Sequence, residues 1–326
     1  MRFGLLLFGG VPGQSLDQAL RDILEKAEAA REAGYHTVWA AGGHLGRGIQ
    51  STLLQARVTA HVEDMDLGIL YLLPLENPIT LAEEISTLDL LSGGRLTVAV
   101  AQGWREFQFK AFGLEPRERL SRFLETLEVM KQLWTQDNVS FHGRHHQIEV
   151  DRPISRPVQQ PYPRLLVAAN ADRGVRRTAR IADGWLISTR ATMPTIEHQA
   201  GVYRQALEES GNKGTIWAWR EAYVATSRQR AMEIIRPAVE EMYADRASLG
   251  HARDLPEADR IDVPFEQILE NRFIIGSPEE CVQEIKRYEE LGVETIIMRV
   301  QWPGMAQEQA LEAIRLMGRE VIPQFA

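Results

Sequence analysis

Eight short apolar runs punctuate the chain: Arg2–Phe8, Tyr35–Ala40, Asp66–Leu73, Arg95–Gln102, Arg164–Ala169, Gly184–Ile187, Ile216–Ala225 and Glu294–Val300. Most are continuously hydrophobic rather than alternating, the pattern of parallel strands covered on both faces. Amphipathic stretches with helical spacing separate them, at Leu16–Ala33, Pro78–Leu91, Arg117–Trp134, Val175–Ala182, Thr195–Ser210, Arg228–Tyr243, Pro278–Leu291 and Gln307–Arg319. Ser277 and Glu280 form a capping box with Pro278 at the first helical position, and Gly34 suits the residue after a helix end. Strand and helix alternating about eight times predict an α/β fold that closes as a (β/α)8 TIM barrel.

Two stretches break the rhythm. Val139–Pro163 reads as a surface hairpin followed by a Pro-rich connector. Asp245–Asn271 is polar and follows the seventh strand and its helix, so it is expected to form a lid-like insertion. Poor order is expected from about Ala247 to Asp262, with Phe265, Ile268 and Leu269 anchoring its far end.

A chain of 326 residues is long enough for a full barrel core, and one domain, 1–326, is expected. The net charge of -8, with both signs mixed throughout, argues against a general affinity for nucleic acid or an anionic membrane. The lone cysteine, Cys281, allows no intramolecular disulfide and reads as a core-facing helix residue. The apolar N-terminal run is too short for a signal peptide or a membrane span, so a cytoplasmic protein is expected.

Several chemistries lack their motif. There is no G-x-G-x-x-G after a strand, no phosphate-binding Walker loop and no G-x-S-x-G nucleophile elbow. His145 and His146 are adjacent in a hairpin rather than spaced on one helix face, so no metal site is expected.

Five segments carry a family resemblance: GYHTVWAAGGH (34–44), LPLENPITLAEEISTLDLLSGGRLTVAVAQGWREFQFKAFG (73–113), LWTQDNVSFHGRHHQI (133–148), VAANADRGVRRTARIADGW (167–185) and GSPEECVQEIKRYEELGVETIIMRVQWPG (276–304). Together they resemble the luciferase-like monooxygenases, (β/α)8-barrel enzymes that use reduced flavin mononucleotide (FMN) with dioxygen. One branch uses a 5-deazaflavin hydride carrier instead. The resemblance implies a flavin ring over Leu70, Tyr71, Gln102, Gly103 and Trp104. It places the flavin phosphate at Asn170, Ala171, Asp172, Arg173 and Gly174, where a helix N-terminus favours an anion. It also implies a non-proline cis peptide around Ile69 to Tyr71, a homodimer, and a separate NAD(P)H-dependent reductase, since no dinucleotide motif is present.

The chain departs from the family pattern at instructive positions. Ala171 stands where many relatives carry serine, and Asp172 repels a phosphate unless it turns away to cap the helix. Arg173 and Arg176 are the nearby compensating charges. Gln102 stands for an arginine that reaches the phosphate in luciferases, and Ala101 for their reactive cysteine. The luciferase Glu-His-His triplet aligns with Gly42, Gly43 and His44, so the catalytic histidine position is Gly43. His44 has two readings, general base or pocket-lining side chain. Trp104 either caps the ring and substrate or packs. Arg299 either meets an anionic substrate or forms an ion pair within the barrel. Functionally, the sequence points to a monooxygenase acting with reduced FMN and dioxygen on a small organic substrate. A deazaflavin-dependent hydride-transfer enzyme and a non-catalytic flavin-binding subunit stand as alternatives.

Overall fold

The computed structural model describes residues 1–7, 13–41, 44–46, 48–248 and 257–325. In chain order, β1 (Arg2–Leu6) is followed by α1 (Leu16–Glu32), β2 (Thr37–Ala41), α2 (Ser51–Thr59), β3 (Asp66–Leu72), α3 (Pro78–Leu91), β4 (Leu96–Ala101), α4 (Glu106–Ala111) and α5 (Arg119–Thr135). Then come β5 (Val139–His142), β6 (Gln147–Val150), β7 (Arg164–Ala168), α6 (Asp172–Ile181), β8 (Gly184–Ile187), α7 (Met193–Ser210), β9 (Thr215–Val224) and α8 (Arg228–Ser248). The chain continues through α9 (Phe265–Leu269), β10 (Phe273–Gly276), α10 (Pro278–Glu290), β11 (Val293–Arg299) and α11 (Gln307–Leu316). This alternation is the (β/α)8 architecture that the apolar runs predict. All eight runs contain a strand; Phe8, at the end of the first, lies outside the described residues.

Two compact units are distinguishable: Met1–Trp39 with Val167–Ala326, and Ala40–Leu166. In the first, β1 pairs in parallel with both β2 and β11, at Gly4↔Thr37 and Arg2↔Thr295. The ten-residue β9 pairs with β11 along one edge, while its other edge is shared by β8 at residues 215–218 and β10 at residues 221–224. Buried Trp39 and Trp217 meet edge to face at 5.9 Å. Cys281 is wholly buried, and burial pushes its thiol up to about 12, which leaves it an inert core residue. The Ser277–Glu280 capping box is present in full.

In the second unit, β3 and β4 pair without interruption from Leu67↔Leu96 to Leu72↔Ala101. The expected non-proline cis peptide is absent from this strand, because an unbroken parallel ladder keeps each peptide extended and trans. The cis peptide found among the described residues is Gln160–Pro161. The expected hairpin is formed by β5 and β6. His145 and His146 bond the hydroxyls of Ser121 and Thr126 on α5, at 2.8 and 3.0 Å. Among the described residues no His/Cys/Asp/Glu group is arranged to hold a metal.

The insertion after the seventh predicted strand is present, and it differs from expectation in two ways. First, α8 extends to Ser248, and residues 249–256 lie outside the described residues. Second, residues 257–262 are not a loose polar loop. Asp259 is buried and its Oδ1 accepts hydrogen bonds from the Thr192 amide, Thr192 Oγ1 and Thr195 Oγ1, each at 2.8 Å. Thr192 is the N-cap of α7, so this acid satisfies the N-cap amide and two hydroxyls at a helix start instead of being solvated. Ile261 is buried beside it, and Phe265, Ile268 and Leu269 are buried as the anchors the sequence indicates. The four-residue β10 is a strand that the sequence reading lacks.

Candidate active site

Active sites of (β/α)8 barrels are built on the loops at the C-terminal strand ends. In the 40–166 unit three such loops converge on His44. Its ring Nε2 lies 2.8 Å from Glu76 Oε1, on the loop after β3. Its backbone carbonyl accepts a 2.6 Å hydrogen bond from Gln108 Nε2 of α4, and its ring lies 4.8 Å from that of Phe112. Burial pushes the Glu76 carboxyl above its ordinary range, against the pull of the His44 hydrogen bond, and the nearby Glu84 charge adds to the rise. Gly42 and Gly43, where the family's histidine position falls, lie outside the described residues.

Tyr71, on β3, packs its side chain toward α2. It is buried, and its hydroxyl lies 3.1 Å from Thr52 Oγ1 on α2. Its neighbours Leu70 and Leu72 point to the opposite face of β3 and are half-buried. Beyond β4, Gln102 and Trp104 are half-buried, and the Arg105 guanidinium lies 5.1 Å from the Trp104 ring centroid. Gly103 between them has φ +74, and a β-carbon there would sit 3.4 Å from Phe109. A side chain at that turn would be strained by the positive φ, although its β-carbon would meet only ordinary contacts.

The second cluster belongs to the other unit. Helix α6 opens at Asp172 with Ala171 as its N-cap, and no side chain caps it. The first-turn amides, at Asp172 and Arg173, have no intrahelical acceptor and are available to an anion. Asp172 turns away from them, not to cap the helix but to reach His198 Nε2 at 2.7 Å and Gln199 at 3.3 Å. The His198 contact, more than the others, holds its carboxyl below the usual range. Arg176 reaches Glu209 at 3.5 Å, and Arg173 is exposed. The amide oxygen of Asn170 is buried without a partner among the described residues, while the Asn170 carbonyl is held by Gln199. An orphaned acceptor beside free helix amides fits a ligand that brings both a hydroxyl and a phosphate, as a flavin mononucleotide does.

Arg299 forms an ion pair. Its Nη1 lies 3.5 Å from Glu221 Oε1, and Arg246 approaches the same oxygen at 3.5 Å. Glu221 is 0% exposed and its other oxygen has no partner among the described residues. Trp302 is also buried, against Phe273 and Tyr223. The sequence reading has neither Glu76 nor Glu221, the two carboxylates that engage its candidate His44 and Arg299.

Residues 1–295 match the family described as luciferase-like monooxygenase. The chain belongs to that family. It is therefore an oxidoreductase of the luciferase-like type, with that family's (β/α)8 barrel. It is similar over its full length to the crystal structure of monooxygenase RslO1 from Streptomyces bottropensis, with 26% identity, a TM-score of 0.88 and 100% of both chains covered. It is 26% identical to an F420-dependent glucose-6-phosphate dehydrogenase of Amycolatopsis mediterranei, over 94% of each chain. A third relative is an FMNH(2)-dependent dimethylsulfone monooxygenase of Pseudomonas putida, 24% identical over 76% of this chain and 70% of the relative. No helix among the described residues is long and apolar enough to cross a membrane.

Proposed function

We propose that this protein is a monooxygenase that uses reduced FMN and dioxygen to oxidise a small organic substrate. The observation that carries this reading is the full-length likeness to the Streptomyces bottropensis monooxygenase. Bound reduced flavin supplies the electrons that activate dioxygen, one oxygen atom passing to substrate and the other leaving as water. In this reading Leu70, Tyr71, Gln102, Gly103 and Trp104 hold the ring, Tyr71 by its backbone since its side chain faces α2. Asn170, Ala171, Asp172, Arg173 and Gly174 hold the phosphate. His44 exchanges a proton with the substrate. Arg299, which pairs with Glu221 at the end of β11, meets an anionic group of the substrate. A separate NAD(P)H-dependent reductase supplies the reduced flavin, and the protein acts as a cytoplasmic homodimer.

The second reading, hydride transfer with the deazaflavin F420, is favoured by the Amycolatopsis relative and by Ala171 at the helix start, which offers no hydroxyl to a phosphate. Fluorescence-quenching titrations with FMN and with F420, followed by oxygen uptake with reduced FMN, separate the two. Tighter FMN binding with oxygen uptake coupled to product supports the monooxygenase. Tighter F420 binding without oxygen uptake replaces it with the dehydrogenase.

A further inference from the structure

Glu76 is held unusually firmly for a loop residue. Its amide donates to the Leu73 carbonyl at 3.1 Å, closing the 3-10 turn Leu73–Leu75. The next residue, Asn77, caps α3 by accepting from the amides of Ile79 and Thr80. The carboxyl is thus fixed between a closed turn and a capped helix, with its side chain 20% exposed and that of His44 30% exposed. His44 is fixed just as closely, by Gln108 at its carbonyl and Phe112 beside its ring.

We propose that Glu76 is the positioning residue for His44, holding Nε2–H by its carboxylate so that Nδ1 is the nitrogen that exchanges the proton. This rests on the reading of His44 as the general base. The geometry supports the division of labour between the two nitrogens. A carboxylate is acceptor-only, so Nε2 facing Glu76 must carry the hydrogen. Nδ1 then holds the lone pair, and it takes no hydrogen bond among the described residues. When Nδ1 gains a proton, the imidazolium that forms lies against a negative charge in a partly desolvated pocket, which stabilises it. The other titratable groups bearing on the pair are Glu84, from α3, and Tyr71, from β3, whose phenol burial pushes far up. Neither carries positive charge, and the Glu76 carboxyl, 2.8 Å from Nε2, is the direct counter-charge for an imidazolium at His44.

The test replaces Glu76 by Gln, which keeps size and hydrogen-bonding capacity but removes the charge. The full-length protein, labelled with 15N-histidine, is titrated by NMR, and oxygen uptake with reduced FMN is measured across pH. In Glu76→Gln the His44 titration midpoint is expected to fall by about one pH unit. The acid limb of the kcat profile moves with it, and kcat falls on the order of tenfold while FMN affinity holds. Glu76→Asp, which keeps the charge, restores most of the midpoint. An unchanged midpoint in Glu76→Gln, with native melting, overturns the proposal. His44→Ala decides the underlying reading separately: full turnover in that variant removes His44 as base, whatever the NMR midpoint shows for the pair.

Discussion

Lys26 offers a stability prediction whose sign and size follow from its surroundings. It lies on α1 with 3% exposure and donates a hydrogen bond to Gln301 Oε1. Burial pushes its ammonium down from 10.5 to about 8, against the attraction of Asp22 and Glu25. A lysine whose folded value lies below its unfolded value opposes folding. The opposition is complete below about pH 8 and disappears as pH rises through 10.5, because within that window the unfolded chain holds more protons. A difference of about 2.5 between 8 and 10.5 corresponds to about 3 kcal/mol at pH 7. Lys26→Met removes the charge and keeps the length, and it leaves Gln301 without this donor at a cost of ~1 kcal/mol. The variant is therefore expected to be more stable than the wild type by about 2 kcal/mol at pH 7. The gap should close, and reverse slightly, between pH 8 and pH 10.5. Urea unfolding followed by tryptophan fluorescence at several pH values reads this difference directly. A gap of the same size at pH 7 and pH 10.5 would show that the ammonium is not held in a desolvated site and would refute the reasoning.

Three further outcomes are expected. Glu221→Leu removes the buried carboxylate that Arg246 and Arg299 both approach at 3.5 Å, and should lower stability by about 3–5 kcal/mol in denaturant unfolding; wild-type stability would mean that these ion pairs contribute nothing net. Gly318→Ala places a β-carbon 2.2 Å from the Ala33 carbonyl oxygen, backbone that cannot swing aside, so a loss of ~1–3 kcal/mol is expected by thermal melting. Asp259→Ala removes the acceptor of three hydrogen bonds at the start of α7. Trypsin should then cut faster at exposed Arg260, and an unchanged cleavage rate there would mean that the buried apolar anchors alone hold the segment.

The strands were legible because burial on both faces leaves a sequence almost without polar positions, as in Leu96–Ala101. Where that logic fails, so does the reading. Helix α2 buries Ser51, Gln55 and Thr59 along with Leu54 and Val58, so it shows no apolar stripe; Gln55 donates instead to the Gly68 carbonyl at 2.7 Å. Helix α4 and strand β10 are too short to establish a period. Asp259 looked like a solvating loop acid because nothing local reveals that it serves a helix start 67 residues earlier. The same holds at the candidate site. His44 stands out in a glycine-rich strand end, but Glu76 sits 32 residues away in an ordinary polar turn. Arg299 was a candidate by type, and its partner lies on β9, where the carboxylate reads as one more strand residue. Long-range polar pairing leaves no periodic trace in a sequence.

The pairing of β1 with β11 has a consequence for how the chain is made. Arg2 lies beside Thr295, so the first strand has one of its two neighbours only after nearly the whole chain has been synthesised. At ~5–20 residues per second, that interval is on the order of 15–60 s. The 40–166 unit, by contrast, is continuous in sequence and is complete when about half of the chain has been translated. During the wait the apolar edge of β1 is unpaired on that side, a template for wrong partners of the kind chaperones shield. Ribosome-stalled chains ending before residue 295 should therefore engage holdase chaperones at β1, and chains carried past it should release them.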